Sequence, residues 1–332
     1  MSISRYFRTS LRWGSSTLCL LPLLLVQVSA VPLSADTAKP AAAFQAGRAD
    51  EAASLLHTTL SADPRNAAAH QLLCRVYYAQ DLFDDAAREC KAAVAIAPND
   101  SDNQLWLGRA YGQQASRANL ISAFSLARRV RTSFEESIRL NPNNLEALID
   151  LGTFYVLAPA AVGGGLDKAQ ALDPQLQQRS AADGHKLLAM IAEKKGDTAT
   201  AEAEYKKAID AAKTPDTYID LGHFYQEHQR YDEAESVLQQ GIRQDQAHDD
   251  ALVDAANILT AAHRDPQLAE QLLREYLASP AKSENAPAFR VHVQLGKLLE
   301  NDGDKDGARR EYDAALTLAS QYPEAKKALE KL

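Results

Sequence analysis

Two cysteines, Cys74 and Cys90, three consecutive glycines, Gly163–Gly165, and eight histidines are the residues from which chemistry would be built here. A reactive thiol needs a neighbouring base, and neither cysteine has a His–Asp set near it in sequence. Two readings of the pair stay open. They are small buried apolar side chains, or they form a disulfide in an oxidising compartment. The histidines are scattered; His223 and His228 are five apart, which misplaces them for one helix face. HExxH, CxxC and GxSxG patterns are absent. The glycines precede Leu166-Asp167, and such a run at a helix start can offer backbone N–H groups to an anion. No Lys-Ser/Thr follows and no strand precedes, so the run is expected to allow an irregular turn instead. No catalytic residue, metal ligand or cofactor is assigned, and the chain is expected not to be an enzyme.

The elements that would position side chains are helices. In Ala67–Asp100, Leu72, Leu73, Val76 and Tyr77 share one face; Ala86, Cys90, Ala93, Val94 and Ile96 share a second, after a break at Gln80-Asp81-Leu82. Both follow the three-to-four-residue period of an amphipathic helix. Pro98 ends the second helix and Asn99-Asp100 turns the chain. Neither helix buries its stripe alone, so the unit must stack on copies of itself.

The first thirty residues read differently. Arg5, Arg8 and Arg12 precede an apolar run, Thr17–Val28, and Val28-Ser29-Ala30 offers a small-residue cleavage site. Residues 1–30 are therefore expected to be a secretory signal peptide, with no membrane span after cleavage. Ser16-Thr17-Leu18 before Cys19 is a poor lipidation signal. Removing residues 1–30 takes away three Arg and no acid, moving the formal charge from −8 to −11. Such an acidic chain does not look like a nucleic-acid binder. Residues 31–40 read as a polar linker.

Pro64 to Pro98 is a period of 34 residues, and Leu73, Cys74, Tyr77, Ala86, Ala93 and Pro98 fall where the tetratricopeptide repeat places its small and large residues. Similar sets recur: Leu107, Gly108 and Tyr111; Leu151, Gly152 and Tyr155; Leu188, Ala201 and Tyr205; Leu221, Gly222 and Tyr225; Leu295, Gly296 and Tyr312. The chain resembles that family over nearly all of residues 41–322. Hairpins are expected at about 33–66, 67–100, 101–144, 145–181, 182–214, 215–248, 249–280 and 289–322, with a capping helix at 323–332. Pro40 should leave the first helix short or frayed. An insertion falls at Gln114–Leu126. Around Asp173-Pro174 a single helix kinked at the proline is favoured over two short pieces. The insertion together with the Ala158–Gly165 loop resembles a group of exported bacterial tetratricopeptide proteins. The resemblance implies an all-α, right-handed superhelical α-solenoid of about seven to eight hairpins, whose first helices line a concave groove.

In that family the groove side of the first helices binds partners. Carried over, those positions are Gln71, Arg75, Tyr78, Leu105, Arg109, Gln113, Ile149, Thr153, Val156, Lys186, Met190, Ile219, His223, Gln226, Val293 and Lys297. Arg75 and Arg109 occupy equivalent places and would either fork onto a carboxylate or pair with local acids. Ile149, Thr153, Val156 and Leu157 would form an apolar floor, used by a partner or covered by the insertion. The expected function is an exported, periplasmic or secreted scaffold that binds a protein or peptide segment in its groove. The alternative is a periplasmic small-molecule carrier with an enclosed apolar pocket under the insertion.

Overall fold

The computed structural model describes residues 35–332, so the proposed signal peptide, Cys19 and residues 31–34 of the linker lie outside the described residues. The described residues form seventeen α-helices and no strand. The first eight are α1 (Ala35–Gln45), α2 (Ala49–Ala62), α3 (Ala67–Ala79), α4 (Phe83–Ile96), α5 (Ser101–Arg117), α6 (Leu120–Leu140), α7 (Leu145–Leu157) and α8 (Leu166–Gln177). They are followed by α9 (Ala181–Lys195), α10 (Thr198–Ala212), α11 (Pro215–Glu227), α12 (Tyr231–Gln244), α13 (Ala251–Ala262), α14 (Pro266–Ala278), α15 (Ala288–Asn301), α16 (Lys305–Leu318) and α17 (Pro323–Lys331). Consecutive helices pair as antiparallel hairpins, and each hairpin stacks on the next.

Local sequence explains where helices begin. Asn66, Asp100, Asn144 and Ser180 each accept a hydrogen bond from a first-turn backbone N–H, at 2.8–3.2 Å. Pro215, Pro266 and Pro323 open α11, α14 and α17, where no N–H partner is lost. Within hairpins, glycine lets the two helices touch. A Cβ at Gly108 would lie 2.5 Å from the Phe134 ring, and one at Gly296 would lie 2.4 Å from Tyr312.

Four expectations need correction. Ala35–Pro40 is not linker: it forms the first half of α1, because burying Ala43 and Phe44 outweighs the one hydrogen bond that Pro40 removes. The insertion does not fold over the groove. Its residues lengthen α5 to 17 and α6 to 21 residues, so that Ser116 and Arg117 at the end of α5 edge the groove while the tip projects into solvent. The apolar floor is covered by neither insertion nor partner: Leu148, Val156, Leu176, Leu187 and Ile191 form one core, with Ile149 and Leu157 packed on it. This happens because α9 packs directly on α7, with Leu187 against Gly152. Finally, Leu105, Met190 and Val293 are core residues, not groove surface. The Asp173-Pro174 region is one helix, α8, with Pro174 inside it.

Cys74 and Cys90 form a disulfide between α3 and α4, with Cα atoms 5.3 Å apart. Closing so short a loop removes denatured-state entropy worth about 3 kcal/mol.

The stack closes on itself. One continuous core joins α1–α3 to α13–α17, including Phe44, Leu72, Val76, Phe289, Val291 and Tyr322. Gly47 sits directly against Ala288, and the Ser320 N–H donates to Asp50 at 2.8 Å. The ends of the solenoid thus meet along a seam, and the concave side becomes a central cavity.

Candidate functional site

The cavity has a volume of about 570 Å³. First helices supply most of its wall: α3, α5, α9, α11, α13 and α15, joined by the Glu284-Asn285 loop. Arg75, Tyr78, Arg109, Gln113, Lys186 and His223 all line it, as do Ile219 and Gln226. Gln71, Ile149, Thr153 and Lys297 do not. Thr153 is buried and Gln71 half-buried away from the cavity.

The charged side chains in the wall are paired. Arg75 donates from Nε and Nη2 to both oxygens of Glu284 at 2.6–2.9 Å, across the seam. This is neither a free guanidinium nor a local pair, because its acid comes from the other end of the chain. Arg109 is buried and donates to Asp150 at 2.6 Å, with Glu146 at 2.9 Å. Burial works against its charge, but these two carboxylates outweigh that and hold it protonated. Burial raises the pKa of Asp150, with Arg109 opposing the shift. Lys186 behaves like Arg109: burial opposes its charge, and Asp220 at 2.7 Å more than compensates. Arg290 donates to Asp81 and, at 2.7 Å, to the Ala79 carbonyl, closing the seam a second time.

Aromatic rings fill the space between these pairs. The guanidiniums of Arg75 and Arg109 lie 5.3 and 4.7 Å from the Trp106 centroid, and Arg117 lies 4.2 Å from that of Phe83. Tyr78 meets Trp106 edge-on at 5.6 Å and accepts a hydrogen bond from Gln113 at 3.1 Å. Burial raises the Tyr78 phenol pKa. Across the cavity, α9, α11 and α13 contribute Glu193, Asp220, Glu227 and Asp254. One wall is therefore aromatic and rich in arginine, the other rich in carboxylates. Any charged guest would therefore have to exchange with an existing ion pair.

The glycine loop is not an anion site. Gly163, Gly164 and Gly165 donate their N–H groups to the carbonyls of Ala160, Pro159 and Tyr155 at 2.8–3.2 Å. Among the described residues, no group of three or more His, Cys, Asp or Glu stands in metal-holding geometry.

Sequence reasoning missed two features. The seam partners Glu284, Asp81 and Arg290 carried no local signal, since the contacts span more than 200 residues. The histidines carried one. His70–Glu89, His185–Glu204 and His292–Glu311 are all Nδ1–Oε2 contacts of 2.7 Å between the two helices of a hairpin, each 19 residues apart. That recurring spacing was readable, and it marks these three as inter-helix ties.

Tetratricopeptide repeat models match residues 43–114, 187–215, 219–287 and 289–322. The chain belongs to the tetratricopeptide repeat family. Repeats of this family are typically non-catalytic scaffolds for protein–protein contact. No curated protein sequence matches the chain significantly. Among solved structures, yeast Tom70 has a TM-score of 0.52 at 14% identity, covering 85% of this chain and 59% of its own. A thermophilic tetratricopeptide protein of Thermus thermophilus has a TM-score of 0.44 at 19% identity, covering 68% of this chain and 97% of its own. These similarities concern the fold.

Proposed function

We propose that this chain is an exported tetratricopeptide scaffold that takes a short protein segment, a chain end or loop, into its central cavity. The observation that carries this is the convergence of Arg75, Tyr78, Arg109, Gln113, Lys186 and His223 on one cavity that is open to solvent on one side. That volume lies in the range of sites that enclose a small ligand or a few residues, and is too small for a partner helix. The Trp106–Tyr78–Phe83 surface suits an apolar or aromatic side chain. An acidic group on the segment competes with Glu284 for Arg75, so entry loosens the seam. The Cys74–Cys90 disulfide supports export, because such bonds persist in oxidising compartments.

A photo-reactive phenylalanine analogue at Ala261, in the cavity wall, tests this in extract of the producing cells. The expected result is a defined protein adduct from Ala261 and none from Asp306, which is exposed and does not line the cavity. Adducts from Asp306 alone would overturn the reading. The size of the cavity, about 570 Å³, also suits a second reading, a small-molecule carrier. Its half-polar wall points to a polar or anionic aromatic ligand in place of the apolar one expected from sequence. Native mass spectrometry showing a bound small molecule, with no adduct from Ala261, would favour it.

A further inference from the structure

The tip of the α5–α6 hairpin is unlike the rest of the surface. Leu120, Ile121 and Phe124 are 74%, 85% and 38% exposed, and they are the exposed large hydrophobics among the described residues. All three fall within five positions. Between Gln113 and Phe134 the chain carries no acid, and of the four arginines there Arg117 pairs with Asp81 at the cavity and Arg131 with Glu135, which leaves Arg128 and Arg129 as the basic residues behind the tip, inside a chain of net charge −8. Arg128 and Arg129 are exposed, and Arg128 makes no ion pair among the described residues. The tip is ordered: the Asn119 side chain accepts from the Ser122 N–H at 3.1 Å and fixes the start of α6. The base is anchored by buried Val130 and Phe134.

We propose that this tip inserts into the surface of an anionic lipid bilayer. Leu120, Ile121 and Phe124 form a projecting knob with no concave surface, which a fluid interface accommodates more readily than a folded partner does. Arg128 lies eight residues along α6 from Leu120, about 12 Å at helical rise. An apolar tip buried about 5–10 Å leaves Arg128 and Arg129 at the level of the headgroups. Basic residues at that depth are attracted by anionic lipid, whereas the acidic remainder of the chain is repelled. No described helix is long and apolar enough to cross a membrane, so this is surface attachment.

The test uses residues 31–332, which contain the whole hydrophobic core described above, so the apolar leader does not contribute. Co-sedimentation is measured with vesicles of phosphatidylcholine alone and with about 30 mol% phosphatidylglycerol. Binding to the anionic vesicles is expected to be about tenfold or more stronger, and to weaken in high salt. Ile121→Asp should lower it about tenfold with an unchanged melting temperature, since the side chain packs on little. Arg128→Gln/Arg129→Gln should remove the preference for anionic lipid. Absence of vesicle binding, or binding unchanged in Ile121→Asp, overturns the proposal. So does a dimer, or an acidic protein adduct, that depends on Ile121 while vesicles are ignored.

Discussion

Arg230 and Arg75 each bond a glutamate from outside their own hairpin, and the two contacts do different jobs. Arg230 bonds Glu202 across the ordinary junction between α10 and the start of α12, 28 residues away. Arg75 bonds Glu284 across the seam, 209 residues away. The chemistry is the same. The junction forms whenever two neighbouring hairpins stack. The seam forms only if the small rotations of all the hairpins add up to bring the ends together. Closure is therefore a property of the whole stack and not of the touching residues alone.

The comparison breaks most visibly at Phe289. Its ring is fully buried in the seam core and meets Tyr322 edge-on at 5.1 Å. Phe289→Ala should cost about 3–5 kcal/mol by denaturant unfolding. Phe134→Ala, equally buried but inside the third hairpin, should cost a similar amount. Only Phe289→Ala should also raise the radius of gyration in solution scattering, because only it loosens the closure. A smaller effect is expected from Arg75→Ala or Glu284→Ala, about 1–2 kcal/mol each, since both side chains are mostly but not fully buried. The double variant should cost less than the sum of the two. Additive losses would show that the pair does not hold the seam.

Which of these features the sequence revealed follows from their range. The hairpins and the cavity residues Arg75, Tyr78, Arg109, Gln113, Lys186 and His223 were readable from a spaced pattern along neighbouring residues. Ile149 and Thr153 failed because groove exposure was assumed to be the same in every hairpin, whereas the loop and short helix of α7–α8 let α9 cover that face. Glu284 and Asp81 were invisible because ring closure depends on accumulated geometry, and no local window encodes it. The disulfide stood open for a related reason: spacing permits it, and only the Cα separation decides.

The ordinary junction supplies the smallest effect and the sharpest contrast with the seam. Hydrogen bonds from Arg230, then from Lys206 and Tyr225, pull the Glu202 carboxyl from its usual 4.5 down to about 2, against the burial that would raise it. A carboxylate with a depressed folded-state pKa contributes stability that is complete above the unfolded value. That contribution drains away as pH falls from about 4.5 towards about 2. The site is partly open to solvent, so the contribution is about 0.5–1 kcal/mol. Unfolding curves between those limits should therefore slope less steeply with pH in Glu202→Gln than in the wild type. Phe289→Ala opens the seam and leaves the Glu202 junction intact, so it should lower stability at every pH while keeping the wild-type slope over the same window. Equal slopes for wild type and Glu202→Gln would mean that the junction is held by packing of Tyr225 and its neighbours alone.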